Sequence, residues 1–397
     1  MQLSKGIKIN IFVLCDHDLD ETESGGARTV IMVNNYLAAC KDIYVYTSYR
    51  HLSPVDPKIN EIPITTNLTK EEINRVIKEK KINILLIPEG GKYARLGRMA
   101  VEGTNCKVIT EFHTKPGFEI HCIWYDAVHN LIKKNIQFKK RIFSVIKFFL
   151  FPLSREYIKL KNRKRFQQAY YDADSLVVLS KPYIDEYKKC YNLKDNQKIT
   201  AIENALSFKQ NITKEELLMK ERTVLIVSRL EERNKRISIA FKMWKKICEK
   251  YPDWYIQIVG SGIDEQLYHK MIDKLKLKNI IFHGRKDPEN YYTKASIFIM
   301  TSAYEGWPMV LTEALQKGCV PVCMDSFSAV HEIINDQSDG FIVKNNDIKD
   351  FTKKIEFLIS NPEIRKKMAS NGVSNSNRFS MNNVGPKWIA LFQHILS

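Results

Sequence analysis

The chain has 397 residues, too many for one ordinary core and enough for two domains of about 150 to 200 residues each. Its eight cysteines are scattered, which excludes a disulfide framework or a zinc site, and no stretch reaches the ~18 apolar residues of a spanning helix. The net charge is +17, and twelve Lys/Arg against one Glu between Ile132 and Arg165 account for +11 of it.

In chain order, the first apolar run ends in acids and has no small-residue cleavage site. It predicts a buried strand over Lys8 to Leu14 rather than a signal peptide, and a protein that stays in the cytoplasm. Asp16-His17-Asp18 follows. The run lacks the glycine of a calcium loop, so it is read as solvated or acceptor-facing, and no metal is expected. Ser24-Gly25-Gly26-Ala27-Arg28 is read as a helix-entry loop before a helix over Arg28 to Ala39, where glycines allow backbone to approach a phosphate. Short β-branched runs at Ile43 to Thr47, Ile82 to Ile87, Lys107 to Phe112 and Ser175 to Leu179 alternate with helix candidates such as Lys70 to Glu79. His113 sits at a predicted strand's carboxyl end, near Glu111 and Glu119.

The basic stretch encloses Ile142-Phe-Ser-Val-Ile-Lys-Phe-Phe-Leu-Phe151. A basic helix with a Phe/Leu/Ile face suits the plane of an anionic membrane, at roughly 1 kcal/mol per basic residue. A packed helix with a solvated basic rim, or a groove for an anionic acceptor, are the other readings. No nucleic-acid reader motif accompanies the charge.

The alternation restarts at Thr223 to Val227 and continues through Tyr255 to Val259, Ile280 to His283, Ile297 to Met300 and Val320 to Cys323. It predicts an α/β chain of two doubly wound parallel-sheet, Rossmann-like domains. The expected boundaries are 1–206, with a basic membrane-facing insertion at about 132–165, then 207–379, then a terminal helix in 380–397 crossing back to the first domain. Polar Leu206 to Glu216 is the hinge candidate.

At the carboxyl edge of the second sheet, Arg229 offers a planar fork and Lys235 a point charge, chemistry suited to a diphosphate, with Arg233 or Arg236 in reserve. Ile258-Val-Gly260-Ser-Gly262 is a tight turn, and Phe282-His-Gly-Arg285 a loop after a strand. The most informative segment is Ser302-Ala-Tyr-Glu305-Gly306-Trp307-Pro308-Met309-Val310-Leu-Thr-Glu313, with two carboxylates eight positions apart. Gly306 and Pro308 mark a turn, so the following helix presents free N–H groups that attract phosphate. If the whole stretch were helical, a rise of ~1.5 Å per residue would set the carboxylates ~12 Å apart, wider than the roughly 5 to 9.5 Å of a glycosidase pair. That suits one elongated ligand with hydroxyls at each end and a diphosphate between, a nucleotide-sugar.

This segment resembles the donor-binding signature of family 4 retaining glycosyltransferases, bacterial surface-polysaccharide enzymes of the GT-B fold, whose two Rossmann-like domains face a central cleft. The resemblance implies that Glu305 contacts hydroxyls of the transferred sugar and that Glu313 binds the ribose diol. It implies further that backbone around Gly306, Trp307, Met309 and Val310 holds the diphosphate, with Arg229 and Lys235 neutralising the leaving group. Gly260 then belongs to the pocket wall, Arg285 to a nucleobase loop, Gly25 and Gly26 to a phosphate contact on domain closure, and His113 to the sugar site.

The implied reaction is metal-independent transfer of a hexose or N-acetylhexosamine from a UDP-sugar, with retention, to a lipid-linked or lipid-anchored glycan. No cofactor is expected, and the place is the inner face of the cell membrane. A nucleotide-sugar epimerase of the same fold, or a non-catalytic membrane-associated scaffold, are the alternatives.

Overall fold

The computed structural model describes residues 8–22, 24–64, 68–119 and 151–397, with side chains in the last stretch from residue 155. Of the basic insertion, residues 132–150 lie outside the described residues, as does most of the apolar run at 142–151. Contacts divide the chain into two units, Met1–Ala205 with Ser380–Ser397, and Leu206–Phe379.

In the first unit β1 (Ile9–Val13), β2 (Ile43–Thr47), β3 (Asn60–Glu61), β4 (Ile84–Ile87), β5 (Lys107–Phe112), β6 (Ser175–Val178) and β7 (Ile199–Ala201) form a sheet of order β3-β2-β1-β4-β5-β6-β7. All pairs are parallel, with Ile11 opposite both Val45 and Ile84. Alternation sorts the side chains of β1 between two cores. Ile9, Ile11 and Val13 face the helix Gly25–Ala39 and the terminal helix Met381–Leu396, whose Val384, Trp388 and Phe392 lie in the same cluster. Phe12 faces the opposite layer with Leu85, Ile87 and Val108, beneath the helix Lys70–Glu79.

Gly385 is what lets the terminal helix approach so closely. A Cβ there would lie 2.2 Å from the Tyr36 ring. The helix Gly25–Ala39 begins three residues before the sequence placed it, because Ser24 caps it by accepting from Ala27 N. Gly25 and Gly26 are thus its exposed first turn rather than a preceding loop.

In the second unit β8 (Glu221–Val227), β9 (Tyr255–Val259), β10 (Ile280–Phe282), β11 (Ala295–Met300), β12 (Val320–Asp325) and β13 (Phe341–Lys344) run in the order β10-β9-β8-β11-β12-β13, again all parallel. Each sheet reverses its winding once, between β1 and β4 and between β8 and β11. Ligands of open α/β sheets bind beyond the carboxyl ends of such strand pairs. The helices Ile237–Lys250 and Ile348–Ser360 cover one face through Phe241, Trp244, Phe351 and Ile355. The stretch Leu206 to Glu216 is fastened to this unit: Leu206 N donates to Phe379 O at 2.8 Å, and Thr213 and Glu216 form a capping box. No helix among the described residues is long and apolar enough to cross a membrane.

Because Trp388 is 3% exposed in the core it shares with β1, Trp388→Ala should cost the first unit roughly 3–5 kcal/mol. Hydrogen exchange should quicken in β1 and β2 and stay unchanged in β8 and β11, a pattern that uniform acceleration would contradict.

Candidate functional site

Beyond the ends of β8 and β11, two loops are welded together. Arg236 has φ 49°, a left-handed turn between the helix Glu232–Lys235 and the helix Ile237–Lys250. Its guanidinium donates to Thr301 O at 2.8 Å, Ser302 O at 2.7 Å, and the side-chain oxygens of Asn345 and Asn346. Burial draws its pKa down, against the pull of Glu232. Thr301 Oγ1 donates back to Lys235 O, and Ala303 N to Asn234 O. Arg236 is therefore engaged in holding the loops together.

This weld sets Lys235 against Glu305, Nζ to Oε1 at 2.6 Å, with both side chains largely buried. A narrow cleft beside them is lined by Ser228, Lys235, Thr301, Ser302 and Val310. Arg229 is exposed at the start of the loop, its guanidinium without a partner among the described residues. Arg233 pairs with Glu231.

The helix Met309–Gln316 starts after Pro308, which as N-cap residue offers no side-chain hydrogen bond to its first turn. Gly306 is half-buried. Trp307 is buried edge-on to Phe379, with ring centroids 5.3 Å apart, and its Nε1 finds no acceptor among the described residues. Glu313, one turn into the helix, is 2% exposed and accepts from Ser207 Oγ at 2.7 Å. A carboxylate so buried is tolerable only with such donors.

Gly260 has a steric role beyond that of a pocket wall. It has φ 138°, and a Cβ would lie 1.9 Å from Ser228 O, while one on Gly262 would lie 2.4 Å from Leu230 O. The two glycines let this turn lie against the Ser228–Leu230 loop. Arg285 is exposed and follows Gly284, whose carbonyl accepts from Gly260 N.

The corresponding edge of the first sheet holds a cavity of about 420 Å³, lined by Gly26, Glu89, Lys92, Glu111, His113 and Arg165 among others. His113 Nε2 stands 3.3 Å from Glu111. Burial pulls the His113 pKa down, but Glu111 and Glu89 outweigh it and the net shift is upward. Glu119 does not join them: it accepts from Tyr191 OH in a separate hollow, and burial raises its pKa. Asp16, His17 and Glu89 lie close enough to share a cation, and the Lys92 ammonium already pairs with Asp16 and stands 3.9 Å from Glu89. Sequence reasoning missed Ser207 and Lys92, since neither belongs to a local motif, and named Arg165 only as the end of the basic run.

Residues 207–374 match the family model Glycosyl transferases group 1. The chain is 31% identical over 172 residues to the amylovoran biosynthesis glycosyltransferase AmsD of Erwinia amylovora, covering 43% of this chain and 47% of that protein. It is 24% identical over 209 residues to the GalNAc-α-(1→4)-GalNAc-α-(1→3)-diNAcBac-PP-undecaprenol α-1,4-N-acetyl-D-galactosaminyltransferase of Campylobacter jejuni, covering 52% of this chain and 58% of that protein. HepE of Anabaena, solved with UDP, superposes with a TM-score of 0.69 at 13% identity, over 97% of this chain and 100% of that one. The chain spans about half the length of the curated relatives it matches. The fold is GT-B. Over residues 207–374 the second unit resembles glycosyl transferases group 1.

Two measurements check these local assignments. By NMR, His113 should titrate above the ordinary value of ~6.5 and fall on Glu111→Gln. A raised folded-state pKa adds stability that is fully present below ~6.5 and is lost as pH rises through the folded value. Gly260→Ala should destabilise the second unit by more than about 2 kcal/mol in denaturant unfolding, because backbone must move.

Proposed function

We propose that this protein is a glycosyltransferase of bacterial surface-polysaccharide assembly. On this reading it moves a hexose or N-acetylhexosamine from a UDP-sugar, with retention of configuration, to a lipid-linked or lipid-anchored glycan. The observation that carries the proposal is the ion pair of Lys235 with Glu305, four residues before the start of the helix Met309–Gln316 at the winding reversal of the second sheet, with Glu313 one turn into that helix.

The chemistry follows from these groups. A diphosphate is drawn to the helix N–H groups and to the cations, which stabilise the charge that develops as the bond to the anomeric carbon breaks. As the diphosphate takes over Lys235, the Glu305 carboxylate turns from an ion-pair partner into an acceptor for sugar hydroxyls. Glu313 receives the ribose diol. The acceptor hydroxyl attacks the anomeric carbon on the face the nucleotide leaves, and its proton passes to the departing phosphate oxygen. Neither carboxylate is needed as a nucleophile, and no step calls for a metal.

The first-unit cavity, with His113, Glu111, Lys92 and Arg165, is the proposed acceptor side. Relatives named for undecaprenol-linked substrates support a lipid-linked acceptor. The exposed Tyr157, Leu160, Lys161 and Lys164 recur at helical spacing along Phe151–Tyr171, which supports peripheral contact with an anionic membrane.

Purified protein incubated with a panel of sugar nucleotides and membrane extract should consume one UDP-sugar and label the lipid fraction, equally well in a chelator. A folded protein that neither transfers nor hydrolyses any donor would falsify the reading. Glu305→Ala should cut transfer about 100-fold with little change in UDP affinity, whereas Glu313→Ala should weaken UDP about 10- to 100-fold. Equal losses of UDP affinity in both variants would contradict this division of roles.

A further inference from the structure

The buried carboxylate of Glu313 is not satisfied from its own helix alone. Ser207, 106 residues earlier, donates its hydroxyl to Glu313 Oε1 at 2.7 Å. Ser207 is the second residue of its unit, immediately after the chain leaves the first. The segment around it is fastened to the Glu313 helix by other bonds: Gln316 Nε2 donates to Phe208 O at 2.8 Å, and Ile212 N donates to Gln316 O at 3.3 Å. Lys317 also lies over the Phe208 ring. Removing the Ser207 hydroxyl therefore leaves the segment anchored and deletes one directed bond to the carboxylate.

We propose that Ser207 is a positioning residue for Glu313, its hydroxyl setting the orientation in which that carboxylate receives the ribose diol of the donor. The inference rests on the donor-binding reading above and adds a residue to it. A carboxylate can swing about its last torsion, which is broad and roughly two-fold. A hydrogen bond to a charged acceptor is among the stronger ones, and it holds one oxygen so that the plane of the group is fixed. Recognition of a diol depends on that plane, because two adjacent hydroxyls must meet it together.

A contact that merely stabilised the fold would not distinguish nucleotides by their sugar, so the test compares UDP with 2′,3′-dideoxy-UDP. Calorimetric titration of wild type, Ser207→Ala and Ser207→Thr should show Ser207→Ala weakening UDP about 5- to 10-fold. It should bind the dideoxy nucleotide as wild type does, and Ser207→Thr, which keeps a hydroxyl, should bind UDP near the wild-type level. The proposal is overturned if Ser207→Ala binds UDP unchanged, or loses both nucleotides in the same proportion. Failure of wild type itself to bind UDP is a different result: it overturns the donor-binding reading, and this inference with it.

Discussion

The architecture of the second unit turns on the guanidinium of Arg236. It sits in a left-handed turn and reaches the carbonyls of Thr301 and Ser302 and the amides of Asn345 and Asn346, so three loops at one sheet edge are held by one planar group. Each carbonyl at a strand end needs a donor, and Arg236 supplies several in fixed directions. Lys235, its neighbour, is left against Glu305. Without this weld the ion pair would join two independent surface loops, and pairs of that kind contribute little.

The second constraint is burial of charge. Glu305 and Lys235 are both largely shielded, and Glu313 is almost wholly so. Such groups persist where partners offset desolvation, and they become sites where a ligand can exchange for a partner. In the proposed reaction a diphosphate replaces Glu305 beside Lys235, and sugar hydroxyls replace Lys235 beside Glu305. The helix start adds dipole without adding a titrating group.

Much of this was legible in the sequence, and the limits have physical causes. Parallel strands buried on both faces read as apolar β-branched runs, so the core strands β1, β4, β5, β8 and β11 were visible. The short edge strands β3, β7 and β13 were not, although the equally short edge strand β10 was. The turn at Gly306 to Pro308 and the helix after it were predictable from local chemistry. The pairing of Lys235 with Glu305 spans 70 positions and that of Ser207 with Glu313 spans 106, and no local pattern encodes either. The structural role of Arg236 was not legible, because a non-glycine residue at positive φ carries little sequence signature. Gly260 was read as part of a tight turn, and the closeness of Ser228 O shows why glycine is demanded there.

The first unit repeats the same winding and places His113, Glu111, Lys92 and Arg165 around a cavity at the equivalent edge. Its chemistry, a mixture of acids and cations with aromatic walls, differs from the cation-led edge of the second unit. That asymmetry is what separates an acceptor side from a donor side in the proposed reaction. The most direct test of the account is a crystal structure of the protein with UDP. It should show the ribose diol on Glu313, the diphosphate at the start of the helix Met309–Gln316 within reach of Arg229 and Lys235, and the Lys235–Glu305 pair opened. UDP bound at the first sheet's cavity, or bound in the second unit with neither Glu313 nor Lys235 in contact, would contradict it.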